Sequence, residues 1–166
     1  MAFYSILRSP PHVIHVEDGE NGGRIVQVAI ARGFDENRIV SLVCELAEAV
    51  VDDKIHWEFT FSFDVFAIDD SVEQFRTQDR QTANAYIPME IRGKIMGVVC
   101  ECLKALTNDV KPTLVYWITK DRDLPEKGMK KYHMLRQVLQ TIGYSPLRNG
   151  TDPHGRYCSI MHKNPR

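Results

Sequence analysis

A chain of 166 residues with 43% hydrophobic residues, 26% charged residues and a formal net charge of −1 has the composition of an ordinary soluble globular protein. The length suits one domain spanning 1–166, large enough to bury a core without disulfide or metal staples. No apolar run is long enough to span a membrane and no basic-then-apolar leader opens the chain, so a cytoplasmic protein with no membrane partner is expected.

The balanced charge hides an asymmetry. Through Thr119 there are 11 Lys and Arg against 18 Asp and Glu, and from Lys120 onward 10 against 4. Such a basic C-terminal third faces an anionic cofactor, a nucleic acid or only solvent. The four cysteines, Cys44, Cys100, Cys102 and Cys158, contain no CxxC pair. His154, Cys158 and His162 are spaced by four, which in a strand separates neighbours by roughly 13 Å. That is too far to share one ion, so no metal site is expected.

In chain order, residues 1–23 alternate weakly and end in a cluster of turn formers. Residues 24–32 (RIVQVAIAR) are rich in β-branched side chains and predict a strand, with a hairpin back to the Val13 region. Asp35 is a good N-cap, and Ile39, Leu42, Val43, Leu46, Ala47 and Val50 recur at helical spacing, which predicts a helix to about Val51. Residues 56–68 alternate, with Trp57, Phe59, Phe61, Phe63 and Val65 on one face, and predict the longest strand. Residues 69–84 are polar and predict a loop or a short helix.

A brief strand is expected at 85–87, followed by a helix over about 90–106. The apolar run at 113–119 (TLVYWIT) predicts a buried central strand. Pro125 suits the first turn of a helix that carries Met129, Tyr132, Leu135, Val138, Leu139 and Ile142 and stops at Gly143. Strands at 144–147 and 156–162, with a turn cluster between them, predict a closing β-hairpin. The fold class expected from this order is α+β (α/β mixed), a central mixed sheet flanked by helices.

The stretch Ile87-Pro88-Met89-Glu90-Ile91-Arg92-Gly93-Lys94-Ile95-Met96-Gly97 carries the chemistry. A helix N-terminus offers unpaired N–H groups and a partial positive charge, glycine admits an anion to the backbone, and Arg92 and Lys94 add full charges. A surface helix that opens with Arg-Gly-Lys only for solubility is the competing reading, within some other α+β or α/β sandwich.

This stretch resembles the acyl-CoA pyrophosphate loop of the GNAT acetyltransferase superfamily, in which Arg or Gln is followed by two residues, Gly, one residue and then Gly or Ala. Arg92 and Gly97 match that pattern, whereas Ile95 stands at its first glycine. The Pro112 strand, and the helix ending in Ile142-Gly143-Tyr144, are similar to the family's closing elements, so the resemblance covers roughly 85–163. It implies a GNAT-like sheet in which the strand ahead of Arg92 splays in a V from the Pro112 strand, and transfer of an acetyl group from acetyl-CoA or another acyl-CoA to an amine. It implies cofactor binding by Arg92, Gly93, Lys94 and Gly97, weakened by the β-branched Ile95. The family's usual tyrosine acid falls at Leu139, which leaves Tyr132 and Tyr144 as candidate acids, each otherwise a packing residue. Glu90 and Asp64 are candidate bases, and His133 and His154 are proton-transfer candidates by ordinary pKa alone. The alternative function is a GNAT-fold protein without catalysis that binds a protein or nucleic-acid partner.

Overall fold

The computed structural model describes residues 3–8, 14–34, 37–51, 53–68 and 75–165. In chain order they form β1 (Phe3–Ser5), β2 (Glu17–Asp18), β3 (Arg24–Gly33), β4 (Arg38–Val51), β5 (Lys54–Ala67) and β6 (Phe75–Thr77). Three helices follow, α1 (Arg80–Asn84), α2 (Met89–Arg92) and α3 (Ile95–Val110). Then come β7 (Leu114–Arg122), α4 (Glu126–Thr141), β8 (Tyr144–Thr151) and β9 (Arg156–Lys163). The expected N-cap Asp35, the Val13 side of the expected hairpin and part of the polar 69–84 stretch lie outside the described residues.

The strands make one mixed sheet in the order β1-β3-β4-β5-β7-β9-β8, with β2 also on β3 and β6 also on β5. All neighbours are antiparallel except β5 and β7. Helices flank this sheet, as the order of elements predicted. Val26, Ile30, Leu42, Cys44 and Leu46 are buried in one cluster with Val99, Cys102, Leu103 and Leu106 of α3. That places the apolar stripe of α3 on the sheet, the usual source of stability for an amphipathic helix. No helix among the described residues is long and apolar enough to cross a membrane.

The helix expected at 35–51 is instead β4, paired along its length with β5 and with β3 on its other edge. Val40, Ser41, Leu42, Val43, Cys44 and Leu46 are all buried, so both of its faces are covered. An apolar residue at almost every position satisfies a helical stripe and a two-sided strand equally, and tertiary pairing decided between them.

The short strand expected at 85–87 is a turn. The Asp79 carboxylate accepts from Thr82 N–H at 2.6 Å and starts α1, and the N–H groups of Tyr86 and Ile87 then bond back to the Ala83 carbonyl. The single helix expected from Glu90 is divided at Gly93 and Lys94 into α2 and α3.

The second half follows the sequence closely. β7 is a buried strand, α4 ends before Gly143, whose φ of +88° is one that side chains rarely adopt, and β8 pairs with β9 through a turn at 152–155. The Tyr144 hydroxyl donates to the Pro112 carbonyl at 2.7 Å, tying the start of β8 to the entry of β7.

Candidate functional site

The parallel strands β5 and β7 are paired at only two positions, Trp57 with Val115 and Glu58 with Tyr116. Beyond them the strands part. Farther along, β5 takes β6 at residues Phe63 to Val65, on the edge that β4 leaves free. The backbone between, Phe59 to Ser62, is therefore laddered on its β4 side only.

A cavity of about 500 Å³ fills this wedge. Its walls include Phe59, Phe61 and Phe63 from β5, Trp117 from β7, Tyr132 and Leu135 from α4, and Ile95 and Met96 from α3. Consecutive residues 58–61 of β5 and 117–121 of β7 all contribute, and neighbours in a strand point to opposite faces. The cavity therefore passes through the plane of the sheet.

Its β7 wall is shaped by a bulge between Ile118 and Arg122. There the Thr119 hydroxyl donates to the Asp121 carbonyl and accepts from Tyr157 N–H, both at 3.0 Å. Bulges of this sort re-aim side chains beside sites, and here Lys120 and Asp121 join the lining.

The first turn of α3 stands at the cavity through Ile95 and Met96, bringing the positive end of a 16-residue helix to it. Ile95 is buried, its bulk forming part of the apolar wall. Arg92 also lines the cavity, but Nε donates to the Ile87 carbonyl at 3.0 Å and Nη2 to the Asn84 carbonyl at 2.6 Å. Two of its donors thus tie down the last carbonyl of α1 and the turn that follows it. Gly93, Lys94 and Gly97 are exposed and outside the lining. A Cβ built on either glycine meets nothing within 4 Å, so the backbone there is open to a ligand.

Of the proton-transfer candidates, Tyr132 reaches the cavity. Burial, then the charge of Asp121, raises its hydroxyl pKa and keeps it protonated. Tyr144 lies elsewhere, its hydroxyl committed to Pro112, and burial pushes its pKa up to about 12. Glu90 is exposed on α2. Asp64 is buried and held in a bidentate ion pair by Arg76, at 2.7 and 2.9 Å. His133 packs edge-on to Tyr157, and His154 is exposed in the β8–β9 turn.

Of the lining residues that escaped the sequence reading, three carry chemistry or an unmet bond. Glu58 stands at the last β5–β7 pair, and burial, followed by the charge of Glu45, raises its pKa. Arg156 is held by Asp152, with Nε at 2.9 Å and Nη2 at 2.7 Å from the same carboxylate oxygen. Trp117 is 2% exposed, and its indole N–H has no acceptor among the described residues. A signal for Glu58 was present: with Asp64 it is one of two carboxylates on the polar face of a strand whose other face is aromatic. Lys120, Lys131 and Arg156 bring part of the basic excess of the C-terminal third to the cavity.

No protein-family model matches this chain, and no curated protein matches it significantly. Among solved structures it is similar to a chimera of the spermidine N-acetyltransferase SpeG from Vibrio cholerae and hSSAT, with 12% sequence identity and a TM-score of 0.39. The match covers 87% of this chain and 66% of the length of that chain.

Proposed function

We propose that this protein is an acyl-CoA-dependent N-acyltransferase of the GNAT kind, acting on an amine. The observation that carries the reading is the wedge, in which two parallel strands part after a two-residue seam around a cavity that passes through the sheet. The loop resemblance implies such an opening between the strand just ahead of Arg92 and the Pro112 strand; here the strand that parts from β7 is β5, and 85–87 is a turn. The donor set suits an acyl-CoA: open glycine backbone and a helix N-terminus at one end, and aromatic walls within.

Bound acyl-CoA supplies an acyl group activated as a thioester. Arg92, Lys94 and the backbone from Gly93 to Gly97 hold the pyrophosphate, and Phe59, Phe61 and Trp117 exclude water from the deep end. Glu58, its pKa raised toward the working range by burial and Glu45, takes a proton from the amine nitrogen. Tyr132 holds the proton on its hydroxyl oxygen that the departing sulfur requires. An amine coming from the opposite side of the sheet to α3 and α4 meets Glu58 first.

A second reading is a binding protein that has given up catalysis. It is favoured by the engagement of Arg92 with the carbonyls of Asn84 and Ile87, by β6 on the free edge of β5, and by Leu139 at the family's tyrosine position. Calorimetric titration with acetyl-CoA separates the two. Micromolar binding, weakened by Arg92→Ala, is the expected result. Binding gained only by Ile95→Gly would make the protein a retired enzyme, and no heat from any of the three would remove the acyl-CoA reading.

A further inference from the structure

Two opposite charges line the cavity on the face of the sheet away from α3 and α4. Phe61 packs on Tyr132 of α4, and Tyr157 on His133 of the same helix, so both of these strand residues face the helices. Side chains alternate along a strand, which puts Glu58 of β5 and Arg156 of β9 on the opposite face. Tyr116 of β7 lies between them on that face, edge-on to His56. Burial raises the Tyr116 pKa, and the charges of Glu58 and Arg156 then act on it in opposite directions. Glu58 and Arg156 thus bracket one stretch of this face, and both reach the cavity.

Arg156 is held in place by the protein itself. One Asp152 oxygen lies 2.9 Å from its Nε and 2.7 Å from its Nη2. The other accepts from the backbone N–H groups of His154 and Arg156, both at 2.9 Å. The Asp123 N–H donates to the Gly155 carbonyl at 2.8 Å, which clasps this turn to the end of β7. The outer fork of the guanidinium, Nη1 with the second hydrogen of Nη2, has no partner among the described residues. Such a fork matches the paired oxygens of a carboxylate or a phosphate. A partly exposed ion pair adds little stability, so the turn alone does not call for an arginine at the cavity. Other lining cations are placed differently. Arg92 gives two donors to backbone carbonyls, Lys120 lies within electrostatic reach of Asp79, and Lys131 belongs to α4 on the other face.

On the acyltransferase reading given above, we propose that the acceptor amine carries an anionic group, a carboxylate or a phosphate, which Arg156 binds while Glu58 receives the nitrogen. Glu58 pairs with Tyr116 and Tyr116 with Ile160, and Arg156 lies four residues from Ile160 toward the open end of the wedge. Strand spacing and rise put the α-carbons of Glu58 and Arg156 roughly 16 Å apart. Two long side chains reaching inward and a small molecule charged at both ends fill that span. Asp121, the other lining carboxylate, acts on Tyr132 on the α4 side. Opposite charges at its two ends give the acceptor one orientation, with its nitrogen toward the seam and the thioester.

The test follows release of free CoA thiol from acetyl-CoA by the full-length protein. Three groups of amine are compared: the standard α-amino acids with β-alanine and γ-aminobutyrate, then aminoethyl and aminopropyl phosphate, then the corresponding amines that lack the anion. The expected result is turnover with a member of the first two groups, and a kcat/KM at least roughly tenfold lower for its anion-free counterpart. The preferred group tells carboxylate from phosphate. Arg156→Gln should raise KM for that acceptor about 10–100-fold, with much smaller changes in kcat and in the KM of the anion-free amine. Arg156→Lys keeps the charge without the fork and should recover part of the loss. Circular dichroism checks the fold of both variants. Preference for anion-free amines, no turnover with any anionic amine, or an equal rise in KM for amines with and without the anion would overturn the assignment. Calorimetric binding of acetyl-CoA to the parent protein would then leave the acyl-CoA site standing. If the parent protein binds no acetyl-CoA, the acyltransferase reading fails and this assignment goes with it.

Discussion

Arg76→Ala is expected to destabilise the protein by about 2–4 kcal/mol, more than removing its partner does. The Asp64 side chain is 3% exposed, and the Arg76 side chain that neutralises it is 52% exposed. Deleting the arginine leaves a carboxylate in the sheet with two hydrogen bonds lost and little water to replace them. Deleting the carboxylate instead, as in Asp64→Ala, leaves a guanidinium that regains water, so its cost should be smaller. The double variant should recover part of the Arg76→Ala loss, the mark of a coupled pair. Urea unfolding of the parent, both single variants and the double variant reads all three quantities. A smaller loss for Arg76→Ala than for Asp64→Ala would show that the carboxylate is not sealed from solvent.

The largest functional effect should come from Glu58. If the carboxylate removes the proton from the amine, Glu58→Gln lowers kcat by about 10²–10⁴-fold, the range for loss of a positioned general base. The pH dependence carries the more specific signature. A base works when ionised, so the rate falls as pH drops through the Glu58 pKa, and burial together with Glu45 moves that limb upward from the ordinary glutamate range. Glu45→Gln removes the neighbouring charge, so the limb should shift back toward lower pH with the base intact. Stability follows the opposite sense. A carboxyl whose folded pKa is raised contributes stability at pH below its unfolded value, and loses it as pH rises through the folded one. Glu58→Gln should therefore flatten that part of the stability–pH curve. An unchanged acid limb in Glu58→Gln would move the base elsewhere.

The elements that were legible in the sequence are those whose pattern admits one reading. The alternation of Trp57, Phe59, Phe61, Phe63 and Val65 has no helical equivalent, and the closing strand, helix and hairpin carry their own stops at Pro125, Gly143 and Gly155. β4 was misread because a strand buried on both faces loses the alternation that identifies it. The helix N-terminus of the candidate site was legible as glycines and cations at a helix start. The occupation of Arg92 was not, since it depends on where the carbonyls of Asn84 and Ile87 fall in space. Nor was the cavity, which arises where pairing stops. Pairing distances are absent from a single sequence, so Trp117 looked like any other apolar residue of its strand.

The two-residue seam also bears on how the molecule breathes. β3 and β4 carry α3, β8 carries α4, and the strands of the two halves pair only through Trp57, Glu58, Val115 and Tyr116, with side contacts such as Phe61 on Tyr132 and α3 on α4 beside them. Between β4 and β5 a long uninterrupted ladder must be undone at once, whereas the seam has two rungs. Native-state hydrogen exchange should thus find the amide of residue 116, which faces β5 where that of residue 115 faces β9, opening at a lower free energy than those of β4, with little dependence on denaturant. Equal protection of both would mean that the sheet opens only as a whole. A seam of two rungs makes the two halves leaves that meet along one short edge.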